Sequence, residues 1–191
     1  MDIEKAIELV EANLTKGRFE HTLRVKDTAI QLAEQYGAPI DLVTIAALFH
    51  DYAKDMDKNE LRRLIISYAL PDDLLEYHHE LWHGPVAAKI VEDQLQITNE
   101  DVLNAIYYHT TGRANMSLVE TIIFVADYIE PKRSFPGVED VRKEAKQDLH
   151  NAARRALKNT IHHLLDKDAT IHPNTFFAYN HLTKTIGVKE V

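Results

Sequence analysis

The chain predicts an all-α fold in a single domain, and three observations carry that expectation. Apolar residues recur at three- and four-residue spacing in segment after segment, the period of a helix with one buried face. The six glycines and six prolines fall mostly between those segments, where helices start and stop. No alternating apolar–polar run is long enough for a strand, and no internal repeat or low-complexity linker breaks the pattern.

Taken in order, residues from about 2 to 14 and about 17 to 36 form two helices, the second stopped by Gly37. Pro39 suits a first helical turn, and the helix it opens runs to about His50-Asp51. Lys58 to Ala69 makes another, ended before Pro71. His83-Gly84-Pro85 opens a helix through about Leu95, and Thr98 or Asn99 caps one ending near His109. Ser117-Leu118-Val119-Glu120 is a capping box that starts a helix to about Glu130. Pro131 to Gly137 is a loop, and two or three helices fill the remainder. One domain over residues 1–191 is expected, with its working core at about 18–138 and the helices from about 139 onward part of the same unit.

Composition narrows the function classes. A formal charge of −8 with no basic block argues against nucleic acid or an acidic membrane surface as partner. An anionic substrate then needs metal ions or a few well-placed Lys and Arg. The absence of cysteine excludes disulfides and thiolate metal ligands. Neither a signal-peptide pattern at Met1-Asp2-Ile3-Glu4-Lys5 nor a membrane-length apolar run is present, so a cytoplasmic protein is expected.

Helical spacing places polar residues on apolar stripes. His109 follows Ile106, Ala105 and Val102 by three, four and seven positions, and His50 stands in the same relation to Ala47, Ala46 and Val43. His21 begins the stripe of Val25, Ala29 and Leu32; His83 precedes Val86, Ala87 and Ile90; Asp127 follows Ile123 and Phe124. A single histidine on such a face is ordinarily a core residue bonded to a backbone carbonyl. A buried aspartate is harder to accommodate, because an unpaired carboxylate out of water is costly. Four histidines with Asp51 and Asp127 make a poor core and a good metal cage.

The ligand types suit iron, manganese, cobalt, nickel or zinc rather than an all-oxygen calcium site. Six ligands are too many for one ion that must keep a position open for water. Shared by two ions with Asp51 between them, they leave room for a hydroxide and a phosphoryl oxygen, as in two-metal hydrolysis of a phosphate ester or anhydride.

His21…His50-Asp51…Asp127 resembles the H…HD…D signature of the HD-domain phosphohydrolases. Arg18-Phe19-Glu20-His21-Thr22, His50-Asp51-Tyr52-Ala53-Lys54-Asp55, His83-Gly84-Pro85, Tyr108-His109-Thr110-Thr111-Gly112 and Ala126-Asp127 through Arg133 are similar to the bacterial symmetrical bis(5′-nucleosyl)-tetraphosphatase family. All six ligand positions are kept. The resemblance implies a helical, iron-binding homodimer that cleaves diadenosine tetraphosphate at its centre to two ADP. It implies a metal-activated hydroxide attacking an inner phosphorus. It also implies that His21, His50, Asp51 and Asp127 bind one ion and Asp51, His83 and His109 the other. Asp51, Lys54, His83 and His109 are the expected catalytic residues.

Around that cage, Lys54 lies one turn past His50 and is expected to reach a phosphate, with Asp55 orienting a ligand or Lys54. Arg18, one turn before His21, is placed to meet a carboxylate or a phosphate. Thr110, Thr111 and Arg113 in the Gly-containing loop, and Arg133 on the Pro-rich loop, are further expected phosphate contacts. Glu76-Tyr77-His78-His79-Glu80 reads as no site, since adjacent histidines on one helix point apart. His150, His162, His163, His172 and His181 read as helix surface. Within Asn174 to Asn180, Phe176, Phe177 and Tyr179 suit core packing, with stacking on a base as the alternative. The rival functions are a nucleotidase or phosphodiesterase on other nucleotides, a dinuclear-iron oxygenase, and a non-catalytic nucleotide sensor.

Overall fold

In a computed structural model, which describes residues 1–187, the chain runs through ten α-helices: α1 Ile3–Asn13, α2 Lys16–Tyr36, α3 Ile40–Phe49, α4 Lys58–Ser67, α5 His83–Leu95, α6 Glu100–Tyr108, α7 Leu118–Ile129, α8 Val138–Ala145, α9 Leu149–Asp166 and α10 Pro173–Ile186. No strand occurs among the described residues. The expected all-α class is borne out. Residues 188–191, the end of the expected single unit, lie outside the described residues. No described helix is long and apolar enough to cross a membrane.

Local chemistry sets the boundaries. Gly37 closes α2 in the left-handed conformation at φ 73°, where a Cβ would be strained. Asn99 accepts from the Val102 amide to start α6, and Ser117 and Glu120 form the reciprocal capping box of α7. Pro39 stands just before α3 rather than inside its first turn, and at the other end α3 stops at Phe49 with His50 as its C-terminal cap. The His50-Asp51 pair therefore lies in the turn beyond the helix.

α7 is the hub. Every residue from Val119 to Ala126 is buried, because α2, α3, α6, α8 and α9 surround it. α5 joins through α6, α1 lies on α2 and α3, and α10 lies on α9. One apolar core extends from Ala6 to Leu182 and includes the fully buried Leu48, Phe49, Ile106, Ile122, Ile123 and Leu157. The polar cluster opens from this core along the inner ends of α2, α3, α5, α6 and α7.

The stretch between α4 and α5 departs from expectation. It is two 3-10 turns, Asp72–Glu76 and His79–Leu81, pinned by the buried Trp82 whose indole N–H donates to Leu74 O at 2.9 Å. His78 and His79 therefore share no helix. Their rings lie 4.4 Å apart instead of diverging, and His78 Nδ1 accepts from the Glu80 amide.

α5 and α6 meet with little clearance at Gly84. A Cβ there would stand 2.9 Å from Tyr107 O and 3.3 Å from His109 Cε1. Gly84→Ala is therefore expected to force the two helices apart. The gain of about 1 kcal/mol in helix propensity is outweighed by overpacking of roughly 1–3 kcal/mol. A fall in melting temperature, accompanied by weaker metal binding because His83 and His109 flank the contact, is the outcome to look for. An unchanged or raised melting temperature would contradict it.

Candidate metal centre

Helix ends deliver most of the cage. His50 and His109 occupy the same position, the C-terminal cap, of α3 and α6. Each turns its Nδ1–H back to the carbonyl three residues earlier, Ala47 O at 2.6 Å and Ile106 O at 2.8 Å. Those carbonyls would otherwise lack a helical partner. The bond fixes the tautomer, so each Nε2 presents a lone pair to the interior. Two helix C-termini, the negative ends of their dipoles, converge where cations would sit. His83 is the first residue of α5, His21 lies in the second turn of α2, and Asp127 is in the last turn of α7.

Asp51 joins these groups. Its Oδ2 lies 3.3 Å from His50 Nε2 and 3.6 Å from His21 Nε2, and His21 Nε2 is 3.1 Å from Asp127 Oδ1. Its Oδ1 lies 3.0 Å from His83 Nε2 and 3.6 Å from His109 Nε2. One carboxylate oxygen thus faces each histidine pair. Two overlapping sets of ligand atoms, His21-His50-Asp127 and His50-Asp51-His109, are each close enough to surround one ion.

The electrostatics fit cations. Burial opposes ionisation of Asp51, yet the imidazoles of His50, His109 and His83 around it hold its carboxyl well below the usual carboxylate range. Asp127 is likewise held low against its burial, by the His21 imidazole 3.1 Å away and the Arg133 charge. Burial lowers His83 to about 4, so its imidazole is neutral at pH 7. The His83 and His109 Nε2 atoms lie only 3.0 Å apart, and the buried Nε2 atoms of His21 and His50 have no hydrogen-bond partner. Buried imidazole nitrogens without partners, converging on ionised carboxylates, are the donor set a borderline divalent metal takes.

The cationic residues divide into two groups. Arg18 Nη1 donates to Asp51 Oδ2 at 2.9 Å and Arg133 Nη2 to Asp127 Oδ1 at 2.6 Å, both partly open to solvent at the mouth. Lys54 pairs with Glu80 and lines a cavity of about 290 Å³ beside His83 with Lys58. Thr110 also lies at the mouth. Three expected contacts point elsewhere. Arg113 makes a two-pronged pair with the buried Glu120, at 2.6 and 2.7 Å, and so braces the α7 cap rather than the cage. The Thr111 hydroxyl donates to Gly112 O. Asp55 accepts from the Thr15 amide and anchors the turn before α2.

Sequence reasoning missed Glu130 as a functional residue. It is buried, accepts from His21 Nδ1–H at 3.2 Å and from Arg24 Nε at 2.7 Å, and also accepts from the Lys132 amide at 2.9 Å. This carboxylate–histidine pair turns His21 Nε2 inward. The available signals were Glu130 three residues after Asp127 and Arg24 three after His21, each on its ligand's own helix face. Core packing was the wrong reading for two aromatics of α10: Phe176 and Phe177 are 41% and 56% exposed.

A helical body closing on a histidine–aspartate cage is the architecture of the HD domain, a divalent-metal-dependent phosphohydrolase fold, and the HD-domain model matches residues 18–132. The chain belongs to the HD-domain family and, within it, to the family of two bacterial relatives. Both are named "Bis(5′-nucleosyl)-tetraphosphatase, symmetrical". The protein of Halalkalibacterium halodurans is 52% identical over 95% of this chain and 97% of its own length. That of Bacillus subtilis is 47% identical over 95% and 98%. A crystal structure from Clostridium acetobutylicum, described as an HD superfamily hydrolase involved in NAD metabolism, superposes with a TM-score of 0.91. It is 38% identical and covers 97% of this chain and 98% of its own.

Two outcomes follow from the cage. Glu130→Gln is expected to weaken metal affinity by about 10–100-fold, the usual cost of losing a partner behind a ligand histidine, as read by chelator competition. Stripping the metal from wild-type protein is expected to lower its melting temperature by roughly 5–10 °C, if metal was present at about a hundred times its dissociation constant. Calorimetry before and after chelation checks the second, and no shift would count against a site that favours the folded chain.

Proposed function

We propose that the chain is a divalent-metal-dependent hydrolase that cleaves diadenosine tetraphosphate symmetrically, giving two ADP. The observation that carries this reading is Asp51, whose two oxygens face separate histidine pairs. Asp51 Oδ2 with His21, His50 and Asp127 would hold one ion, and Oδ1 with His83 and His109 the other. Ions bound there would activate a water as nucleophile and neutralise the phosphoryl oxygens. Iron is the metal we assign, from the resemblance and the nitrogen–oxygen ligand set. A cytoplasmic homodimer over residues 1–191 as one unit belongs to the same reading.

The chain's own groups divide the remaining work. Arg18 and Arg133 stand half-exposed beside Asp51 and Asp127, where an arriving polyphosphate finds guanidinium donors already oriented by the cage carboxylates. Lys54, which lines a cavity with His83, supplies a third cation. Catalysis here is mainly positioning and charge neutralisation, as phosphoryl transfer requires. Thr110 and Thr111 line a cavity of about 280 Å³ that reaches Tyr108, His172, Asn174 and the exposed Phe177. An adenine stacking there gives the exposed Phe177 a purpose that core packing does not.

The test is to incubate metal-reconstituted protein, kept reduced, with diadenosine tetraphosphate and to resolve the products, with Asp51→Ala alongside. ADP alone is expected, with turnover reduced at least about 100-fold in the variant. AMP with ATP would overturn the cleavage position. Turnover of mononucleotides but not of the dinucleotide would overturn the substrate.

A further inference from the structure

A substrate cut at its centre carries a nucleoside on each side of the reacting phosphorus, so the cage needs two exits. The cavity at Phe177 is one. A second opens directly from the cage. Its first part, about 250 Å³, is lined by His109, Thr110, Asp127 and Arg133, together with Tyr128, Phe135 and Thr160. The last three residues also line a larger cavity of about 510 Å³ that continues to Asn159, His163 and Asp166 on α9. The two parts adjoin at those three shared residues, and Thr110 lies on both the first part and the Phe177 cavity. A chain of phosphates crossing the metals past Thr110 therefore has an aromatic-lined bay at either end.

From this continuity we propose that the groove between the loop after α7 and helix α9 binds the second nucleoside of the dinucleotide. The inference rests on the function proposed above. Its size lies within the range of roughly 300–1,000 Å³ for small-molecule sites. Its wall is aromatic: the Tyr128 and Phe135 rings stand edge-to-face with centroids 4.9 Å apart, and both remain half-buried rather than sealed in the core. Polar groups sit at its edge as a nucleoside requires. Asn159 donates through Nδ2 to the Tyr128 hydroxyl at 3.2 Å, which leaves its Oδ1 to accept from an exocyclic amine. Asp166 offers a carboxylate suited to ribose hydroxyls. Gly137 lets the loop close on Asn159, since a Cβ there would stand 2.8 Å from Nδ2. Arg133, at the inner end of the groove, marks where its phosphate leaves the cage.

Two variants act on the bay in opposite ways, Phe135→Ala by removing a stacking face and Thr160→Trp by filling the space. Each would be checked for an unchanged melting profile and metal content. The readouts are KM for diadenosine tetraphosphate and the inhibition constant of ADP, which needs only one bay. In both variants KM is expected to rise about tenfold, the size of one lost base–aromatic contact, while the ADP constant changes by less than about twofold. An unchanged KM in the two variants would overturn the second bay and leave the proposed function standing. A parallel rise in both constants would also overturn it, by showing a general disturbance of the cage. Failure of the wild-type protein to make ADP from the dinucleotide would instead remove the proposed function, and the bay with it.

Discussion

The buried carboxylate of Asp51 is the constraint around which this molecule is arranged. An ionised carboxylate at 3% exposure in a helical core is untenable alone, and it is held by Arg18 on one oxygen and by imidazoles around both. Those imidazoles come from four helices that must reach one point. The packing of α2, α3 and α6 around α7, with α5 against α6, is therefore as much a consequence of the cage as a support for it. A metal resolves the remaining conflict, in which neutral imidazole nitrogens face each other and ionised oxygens without enough protons to share.

The rigidity of the site comes from a second ring of contacts. Glu130 ties His21 to Arg24, and Arg142 of α8 donates to the carbonyls of Ile129, Glu130 and Arg133. One arginine thereby satisfies carbonyls at the end of α7 and fixes the loop that carries Arg133. His50 and His109 are aimed by their own helices, whereas His21 depends on a distant carboxylate. His50 and His109, one in each half of the cage, are thus secured locally in sequence, and His21 at long range.

Charge is distributed to match. The chain is acidic as a whole, yet Arg18, Lys54 and Arg133 surround the opening, each beside a carboxylate. These pairs keep the cations in place and prevent an excess of positive field until metal and a polyanion arrive.

The sequence by itself determined the all-helical class and most helix boundaries, which rest on local periodicity or capping, and it pointed to the six residues that the fold brings together, five from their helical stripes and Asp51 from its place beside His50. His50 three positions after Ala47 had to face inward, and Ser117 with Glu120 had to start a helix. Only the tertiary structure decided which cations serve the cage. Arg113 and Thr111 sit two to four residues from His109 and yet turn to Glu120 and Gly112, while Glu130 reaches back to a histidine 109 positions earlier. A long flexible side chain takes its partner from whatever packs beside it. That neighbour is fixed by helix–helix contacts between distant segments, which no local spacing encodes. Phe176 and Phe177 show the same limit, since an aromatic on α10 is core or surface according to what covers it, and here little does.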